Sequence, residues 1–386
     1  MKYDQRPFFV LIALIGGLAI FSSTLSKTPV LPLFAHALNA SPAEIGWIVM
    51  ASTIPGVLIS YPAGALSDHL GQRRLLLASL VVFATAPFLY LLIDAPWQLM
   101  AVRFYHGFAT AIFGTVASAA IAARYTADRA AKLSTYSSIT IVGRSIAPFL
   151  GGFLISLASF NAVYIACAIS GVLALGAGLL LRDNDPTPTA KKERLPFWVS
   201  LTTVLRDRGI MLVSGVEAAQ YLVFGAIEAF IALYAASLGI PAWQIGIILG
   251  VQLVSIVFAK PLMGRVSDRV GRRQVIIPGL LIGAASVALL PLASSFFVLA
   301  GLSLLFGIGF ATVTSSTAAL VADLTQNSRY GSSMGVLRTV MDVGQSIGPV
   351  LTGWMVGMAG YGSAFSLLAA ILVLAALLLG LVFKQA

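Results

Sequence analysis

Long apolar runs, each bounded by a short polar or charged connection, recur along the chain from end to end. Each run has the length of a helix that crosses a bilayer, about 17–25 residues. None alternates between apolar and polar residues as the strands of a membrane barrel do. Because hydrocarbon offers the backbone no hydrogen-bond partner, each run is expected to be a helix. The twelve predicted spans lie at about 8–30, 43–65, 75–93, 98–122, 133–158, 161–181, 209–236, 243–263, 275–293, 297–322, 332–358 and 362–383.

The composition agrees with an all-α integral membrane protein. Of the 386 residues, 59% are hydrophobic and 10% are charged, against about 25% charged residues in soluble domains. The single cysteine, Cys167, excludes an intramolecular disulfide and a multi-cysteine metal site. The sequence has neither a phosphate-binding loop nor a nucleophile elbow, so ATP-driven transport and hydrolysis are not indicated. No cofactor, metal or enzymatic activity is expected.

The basic residues predict the orientation of the spans. Of the 24 Lys and Arg residues, 19 fall in one alternating set of connections and at the two termini, and the other set carries none. Since basic residues stay on the cytoplasmic side, both termini are expected there. The protein is therefore expected to be a multi-pass protein of the cell membrane, and this membrane is expected to be a bacterial inner membrane. The net charge of +10 reflects this topology and contact with anionic lipid, not a nucleic-acid partner.

The second half of the chain repeats the first at an offset of about 200 residues. A polar stretch at 182–208 separates a predicted six-helix bundle at 1–181 from a second at 209–386, and is expected to be a cytoplasmic linker. The stretch "VGRSIAPFLGG" at 142–152 aligns with "VGQSIGPVLTG" at 343–353. Such duplication is typical of transporters with a central site between two halves.

Several of these stretches resemble motifs of the major facilitator superfamily. "GALSDHLGQRR" at 64–74 is similar to that family's signature between spans 2 and 3, except at His69 and Gln72, and "GRVSDRVGRR" at 264–273 is its second copy. The resemblance implies twelve helices in two pseudo-symmetric bundles and a gate on the cytoplasmic side. A loop whose charges only set the topology is the alternative. The implied gate residues are Gly64, Asp68, Gly71 and Arg73, with Gly264, Asp268, Gly271 and Arg272.

Spans 4 and 5 carry two further motifs of that family. "LMAVRFYHGFATA" at 99–111 resembles the span-4 motif of proton-coupled members, with His106 in place of a glutamine. "GRSIAPFLGG" at 143–152 resembles the span-5 motif of antiporters. Its small residues and its proline favour a close, bent helix interface. The predicted packing positions are Gly143, Ala147, Pro148, Gly151 and Gly152 in span 5, and Gly344, Gly348 and Pro349 in span 11.

Charged residues inside the spans are the candidate functional residues, because a charge at the middle of a bilayer costs roughly 2.5–3.5 kcal/mol. Glu217, Tyr221, Phe224 and Glu228 share one face of span 7, and a buried glutamate there could take up and release a proton. Lys260 is expected to reach a membrane surface. Arg338 and Asp342 either pair within span 11 or serve the substrate. The predicted substrate or cavity residues are Lys27, Arg103, Arg144, Tyr221, Phe224, Arg338 and Asp342, and the proton-coupling candidates are Glu217, Glu228 and Asp342.

These observations favour a monomeric secondary transporter that works by alternating access. The length and the span-5 motif resemble the drug:proton antiporter branch, which implies proton-driven export of a small organic compound or drug, with protons and membrane lipid as partners. The excess of deep Arg and Lys residues favours the alternative of an organic-anion carrier that works by symport or exchange. A sensor or lipid-handling protein on the same scaffold is a third interpretation.

Overall fold

The computed structural model describes residues 6–59, 70–125, 128–181, 206–325 and 330–382. Within these ranges the secondary structure is helical and no strand occurs. The helices are α1 (Arg6–Leu25), α2 (Val30–Ala37), α3 (Pro42–Ala51), α4 (Gln72–Tyr90), α5 (Pro96–Arg124), α6 (Arg129–Leu157), α7 (Phe160–Leu179), α8 (Arg208–Ser237), α9 (Ala242–Val270), α10 (Arg272–Leu289), α11 (Phe296–Leu324) and α12 (Tyr330–Val382), with a short 3-10 turn at Leu290–Leu292. The predicted linker at 182–208 lies almost entirely outside the described residues.

The predicted first span is broken into two helices. The polar run "SSTLSKTP" ends α1 at Leu25, and the chain turns before α2 begins at Val30. Hydroxyls in this run bond to the backbone, as when the Ser26 hydroxyl donates to the Ser23 carbonyl at 2.9 Å, and such bonds compete with helix continuation. The prediction that an outer connection starts at residue 31 was therefore wrong, because helix continues to Ala37.

The last helix contains two spans. α12 has 53 residues, about 80 Å at 1.5 Å per residue, whereas the hydrocarbon layer is about 30 Å thick. At Gly360 the backbone leaves the helix, with φ 77° and ψ 175°. Eleven described helical stretches are long and apolar enough to cross a membrane when α12 is taken as one. The break at Gly360 divides it into the predicted spans 11 and 12, which gives the twelve spans.

The chain divides into two compact units, each with a short segment from the other half of the sequence. The first consists of Met1–Ala40, Trp47–Lys191 and Pro241–Gly246, and the second of Ser41–Gly46, Lys192–Ile240 and Ile247–Ala386. In the first unit α1 packs on α6 and α7, and α4 packs on α5 and α7. In the second unit α8 packs on α11 and α12, and α10 packs on the same two helices. The two units therefore repeat the same helix pairings.

Apolar side chains form the core of each unit, and buried polar side chains lie among them. In the first unit, the rings of Phe83 and Phe113 are fully buried and meet edge to face at 5.9 Å. In the second, Phe224 and Phe310 are buried with ring centroids 4.4 Å apart. The buried polar groups beside these rings are the candidate functional groups.

Candidate functional site

Arg103 is buried inside the first unit among neutral polar groups. It lies in α5 with 4% of its surface exposed. Its Nη1 donates hydrogen bonds to the hydroxyls of Tyr90, at 3.2 Å, and Ser26, at 3.4 Å. No carboxylate of the described residues forms an ion pair with it, and its Nε has no hydrogen-bond partner. Arg103 is thus a buried positive charge whose described partners are neutral hydroxyls.

The break in span 1 explains how Ser26 reaches Arg103. Ser26 directly follows the last residue of α1, so its hydroxyl lies at that helix's C-terminal end. The C-terminal end of a helix carries a partial negative charge of about half a unit. This partial charge offsets part of the charge of Arg103.

Aromatic rings and His106 complete the cluster around Arg103. His106 lies one turn further along α5, and its Nδ1 is 3.2 Å from the Tyr90 hydroxyl, while its Nε2 has no partner among the described groups. Tyr164 of α7 stacks on Tyr90, with ring centroids 4.4 Å apart and planes inclined by 6°. The Tyr164 hydroxyl is also buried without a described partner. The cluster therefore joins α4, α5 and α7 to the break after α1.

The second unit holds a buried carboxylate, Glu217, in α8. Its side chain is 4% exposed, and the Thr317 hydroxyl of α11 donates a hydrogen bond to its Oε2. The same hydroxyl lies 2.9 Å from the carbonyl oxygen of Val313, so its single proton can serve either acceptor. Lys260 of α9 is exposed and lies close enough to Glu217 for electrostatic attraction. Glu217 thus has a hydroxyl donor and a nearby cation in its own unit.

Aromatic side chains follow Glu217 along the same face of α8. Tyr221 lies one turn after it, and its ring meets Phe310 of α11 edge to face at 5.0 Å. Phe224 packs against Phe310 as well, at 4.4 Å. Glu228, at the end of the predicted stripe, is buried. The predicted polar and aromatic stripe of span 7 therefore faces into the second unit along much of its length.

The other candidate residues occupy further positions in their units. Lys27 is half-buried in the turn between α1 and α2, and Arg144 is exposed in the middle of α6. Arg338 and Asp342 lie one turn apart in α12, close enough to interact electrostatically. Their predicted roles with substrate and protons stay predictions.

The glycines of the span-5 motif face two neighbours. A Cβ atom on Gly143 would lie 2.9 Å from the carbonyl oxygen of Gly17 in α1. On another face of α6, a Cβ atom on Gly152 would overlap the Ala242 carbonyl at the start of α9, and one on Gly246 would lie 2.5 Å from the Pro148 carbonyl. The small residues of "GRSIAPFLGG" therefore let the backbone of α6 approach the backbones of α1 and of the start of α9. The charged side chain of Arg144 takes no part in these contacts.

The second copy of the motif packs in the same way. Cβ atoms on Gly344 and Gly348 would overlap the backbone of α8 at Ala218 and Leu222. A Cβ atom on Gly353 would overlap the Pro42 carbonyl, and one on Gly46 would lie 2.5 Å from the Pro349 carbonyl. The contact partners therefore repeat at the sequence offset of the duplication, with each proline carbonyl set against a glycine.

The motif between spans 2 and 3 differs from its second copy between spans 8 and 9. Gly64 and Asp68 of the first copy lie outside the described residues. Arg272 of the second copy bonds to Asp268 and, at 3.0 Å, to Asp323 at the end of α11. The residue at the place of Arg272 in the first copy is Gln72, which cannot form such ion pairs. Among the described residues, the ion pairs of this motif therefore occur in the second unit.

Arg73 and Arg273 are equivalent and bind helix ends. The Nε of Arg73 donates to the carbonyl oxygen of Leu181 at 2.6 Å, and Nη2 of Arg273 donates to the carbonyl oxygen of Gly380. Gly71 and Gly271 precede them with φ of 88° and 109°, a backbone region that favours glycine. Arg73 and Arg272 were both named as gate residues, and the contacts of Arg73 correspond to those of Arg273 in the second copy.

Sequence analysis missed several partners, among them Ser26, which accepts from Arg103. Tyr90, Tyr164 and Thr317 are ordinary residues of apolar spans, and only contacts between helices show that they face Arg103 or Glu217. Asp323 carried a signal, because it is a charged residue in the polar connection that follows span 10. Lys260 was expected to reach a membrane surface, and the structure adds that it lies near Glu217.

Comparisons with known proteins place this architecture in a family. The chain is 24% identical to the multidrug resistance protein MdtG of Proteus mirabilis over 355 residues, 89% of this chain and 88% of that protein. It is 26% identical to the Staphyloferrin B transporter of Staphylococcus aureus over 336 residues, 83% and 79% of the two chains. The crystal structure of the nucleoside transporter NupG matches with a TM-score of 0.81 at 15% identity, over 98% of this chain and 99% of that one. The family model of the Major Facilitator Superfamily matches residues 12–234 and 213–386. With the repeated helix pairings and a match over nearly the whole chain, the protein belongs to the Major Facilitator Superfamily.

Proposed function

We propose that this transporter is a proton-coupled antiporter that exports a small organic compound, with Glu217 as the proton-binding residue. The observation that carries the proposal is the environment of Glu217, a buried carboxylate with one hydroxyl donor and a cation nearby. A charge in the membrane interior is costly unless it is paired, so a proton on Glu217 changes which partners it needs. Glu228 and Asp342 are the other proposed proton carriers.

The hydrogen bond of the Thr317 hydroxyl depends on the protonation state of Glu217. While the carboxylate is charged, the Thr317 hydroxyl donates to it. Once the carboxyl group is protonated, it has its own proton to donate, and the hydroxyl can turn to the Val313 carbonyl at 2.9 Å. Attraction to Lys260 is lost at the same time. Proton uptake therefore loosens contacts from α8 to α11 and α9, which biases an equilibrium between two conformations.

The aromatic face beyond Glu217 is the proposed contact for the apolar part of the substrate. Tyr221 and Phe224 present large rings with few rotatable bonds, which suit an organic compound. Lys27, Arg103, Arg144, Arg338 and Asp342 are the proposed polar contacts. The motifs at 64–74 and 264–273 are the proposed cytoplasmic gate.

The names of the relatives support transport of small organic compounds. One is named a multidrug resistance protein and another a Staphyloferrin B transporter. By analogy we place this protein in the bacterial inner membrane, as a monomer with both termini in the cytoplasm, as its basic connections predict.

The test is substrate-driven proton movement in proteoliposomes that contain the purified protein and a trapped pH dye. Ethidium, a lipophilic cation, and benzenesulfonate, a permanently charged anion, are added as probes. We expect at least one probe to drive protons in the opposite direction to its own movement. Glu217→Gln is expected to abolish this proton movement and to leave exchange of labelled probe across the membrane intact. Asp94→Asn, an exposed carboxylate between α4 and α5, is the matched control.

Two results would refute the proposal. One is a native protein that moves no protons with either probe, and the other is Glu217→Gln with full coupling. The second candidate function, organic-anion carriage by symport, is favoured by the buried Arg103. It predicts that benzenesulfonate and protons move in the same direction, so the sign of the dye signal separates the two functions.

A further inference from the structure

We propose that Arg103, His106 and Tyr164 form a binding site inside the first unit for a monovalent organic anion such as a carboxylate or sulfonate. The identification of this anion as part of the exported compound rests on the proposed export function. The site itself follows from the charge and the hydrogen bonding of the cluster.

Three buried groups of the cluster lack a hydrogen-bond partner among the described residues. They are Nε of Arg103, Nε2 of His106 and the hydroxyl of Tyr164. Buried polar groups are almost always hydrogen-bonded, and one left unpaired costs about 1–3 kcal/mol. Three unpaired groups in one buried cluster, one of them on the guanidinium itself, point to a ligand with acceptor atoms.

The hydrogen bonds of Tyr90 allow His106 to offer a donor as well. The Tyr90 oxygen accepts from Arg103, so its own proton is available for Nδ1 of His106. With Nδ1 as the acceptor, the proton of a neutral imidazole lies on Nε2. The Nε of an arginine always carries a proton, and the Tyr164 hydroxyl can donate. All three unpaired groups can therefore act as donors to a single acceptor-rich ligand.

The charge balance of the first half points to an anion. The acidic residues before the linker all lie at the N-terminus, in connections or at the ends of spans, and they are Asp4, Glu44, Asp68, Asp94 and Asp128. No carboxylate of the first half therefore lies at the depth of Arg103 in a span. The end of α1 supplies only about half a negative charge. The remainder of the positive charge is a reason for an anion to bind and a reason for a cation to be excluded.

The rings around the donors suit an organic anion. Tyr164 lies between Tyr90, stacked at 4.4 Å, and Phe34, at 5.4 Å with planes inclined by 61°. Phe83 meets His106 edge to face at 5.8 Å. Charged donors beside aromatic rings match a compound with an anionic group on an apolar body. Because the cluster is buried, binding requires this part of the unit to open, as in a transporter that alternates between states.

The test uses the purified full-length chain in detergent and its thermal midpoint of unfolding. Sodium benzenesulfonate is titrated against neutral benzenesulfonamide, with sodium sulfate added to hold the ionic strength constant. We expect a saturable rise of the midpoint with the anion and none with the amide. Arg103→Gln is expected to weaken the apparent affinity about 10- to 100-fold, the loss of one charged hydrogen bond. Arg206→Gln removes an exposed charge just before α8, outside the proposed site and gate, and is expected to bind as the native protein does.

A second variant keeps the test valid if Arg103→Gln does not fold. His106→Phe removes one unpaired donor and retains a ring, as at Phe306, the buried residue in the same position of the second half. It is expected to weaken binding of the anion with Arg103 still present. The proposal is overturned if the anion and the amide shift the native midpoint equally, or if the shift survives unchanged in both variants.

A chloride titration separates two sources of the anion. A saturable rise with sodium chloride that equals the rise with benzenesulfonate, and is lost in Arg103→Gln, would assign the site to free inorganic anion and overturn its assignment to the exported compound. The unfolding assay in detergent has no proton gradient, so it measures anion binding independently of proton antiport. The two proposals can therefore be refuted separately. Anion stabilisation without any proton movement in proteoliposomes would refute the antiport alone.

Discussion

The Thr317 hydroxyl donates a hydrogen bond to the buried carboxylate of Glu217, whereas Thr314, on the same helix, has a buried hydroxyl with no described partner. Both threonines are buried in α11, and they differ in whether the hydroxyl has a partner. This difference makes them a matched pair for measuring what the bond to Glu217 contributes.

Thr317→Val is predicted to destabilise the protein by about 1.5–3 kcal/mol, the value of a hydrogen bond to a charged group. It is also predicted to reduce proton movement driven by substrate, because Glu217 loses the donor that responds to its protonation. Thr314→Val removes an unpaired hydroxyl and is predicted to be neutral or stabilising. Thermal unfolding of the two variants, with the proteoliposome assay, measures both effects. Equal behaviour of the two variants would show that the bond to Glu217 has no special role.

Gly152→Ala is predicted to destabilise the first unit by about 1–3 kcal/mol, the usual cost of an overpacked contact. The new Cβ atom would overlap the Ala242 carbonyl, and backbone atoms cannot move aside as a flexible side chain can. Gly176→Ala in α7 is the control, since its Cβ atom would meet nothing within 4 Å. The control is predicted to gain up to about 1 kcal/mol from helix propensity. A Gly152→Ala protein as stable as the control would show that α6 and α9 are not in close contact in the membrane.

Arg73→Gln and Arg273→Gln are predicted to loosen the ends of two different helices. Arg73 holds the Leu181 carbonyl just after α7, and Arg273 holds the Gly380 carbonyl near the end of α12. Since the last carbonyls of a helix have no partner within the helix, loss of an arginine leaves them unsatisfied. Hydrogen exchange should rise several-fold at 177–181 in the first variant and at 376–382 in the second. A rise at both places in both variants would contradict these separate contacts.

The sequence was sufficient to predict the helical class, the number of spans and the duplication. These features depend on apolar length and on the side of the membrane where basic residues lie, which are local properties of the chain. The stripe of Glu217, Tyr221, Phe224 and Glu228 was predicted to point inward, because helical periodicity puts these residues on one face. Three of them are buried and Tyr221 is half-buried.

The partners of the buried charges were beyond prediction from the sequence. Arg103 was recognised from its motif, but Tyr90 and Tyr164 come from other helices and carry no charge or spacing that marks them. The break of span 1 after Leu25 was missed as well, because the run "LSKTPVLPLFAHA" stays apolar enough to be read as the end of one span and a turn. Helix pairing decides such contacts, and pairing is not a periodic property of one segment.

The duplicated halves agree where backbone meets backbone. A Cβ atom on Gly107 would lie 2.5 Å from the Ser52 carbonyl, and one on its counterpart Gly307 would lie 2.6 Å from the Gln252 carbonyl. Four residues before each glycine, the halves differ, with buried Arg103 in one and buried Ser303 in the other. In evolutionary terms, an ancestor assembled from two identical half-length chains would have carried the same residue at both places, so a guanidinium in one copy came with a guanidinium in the other. In a single chain the two halves can differ, so each half can carry its own chemistry on the same scaffold.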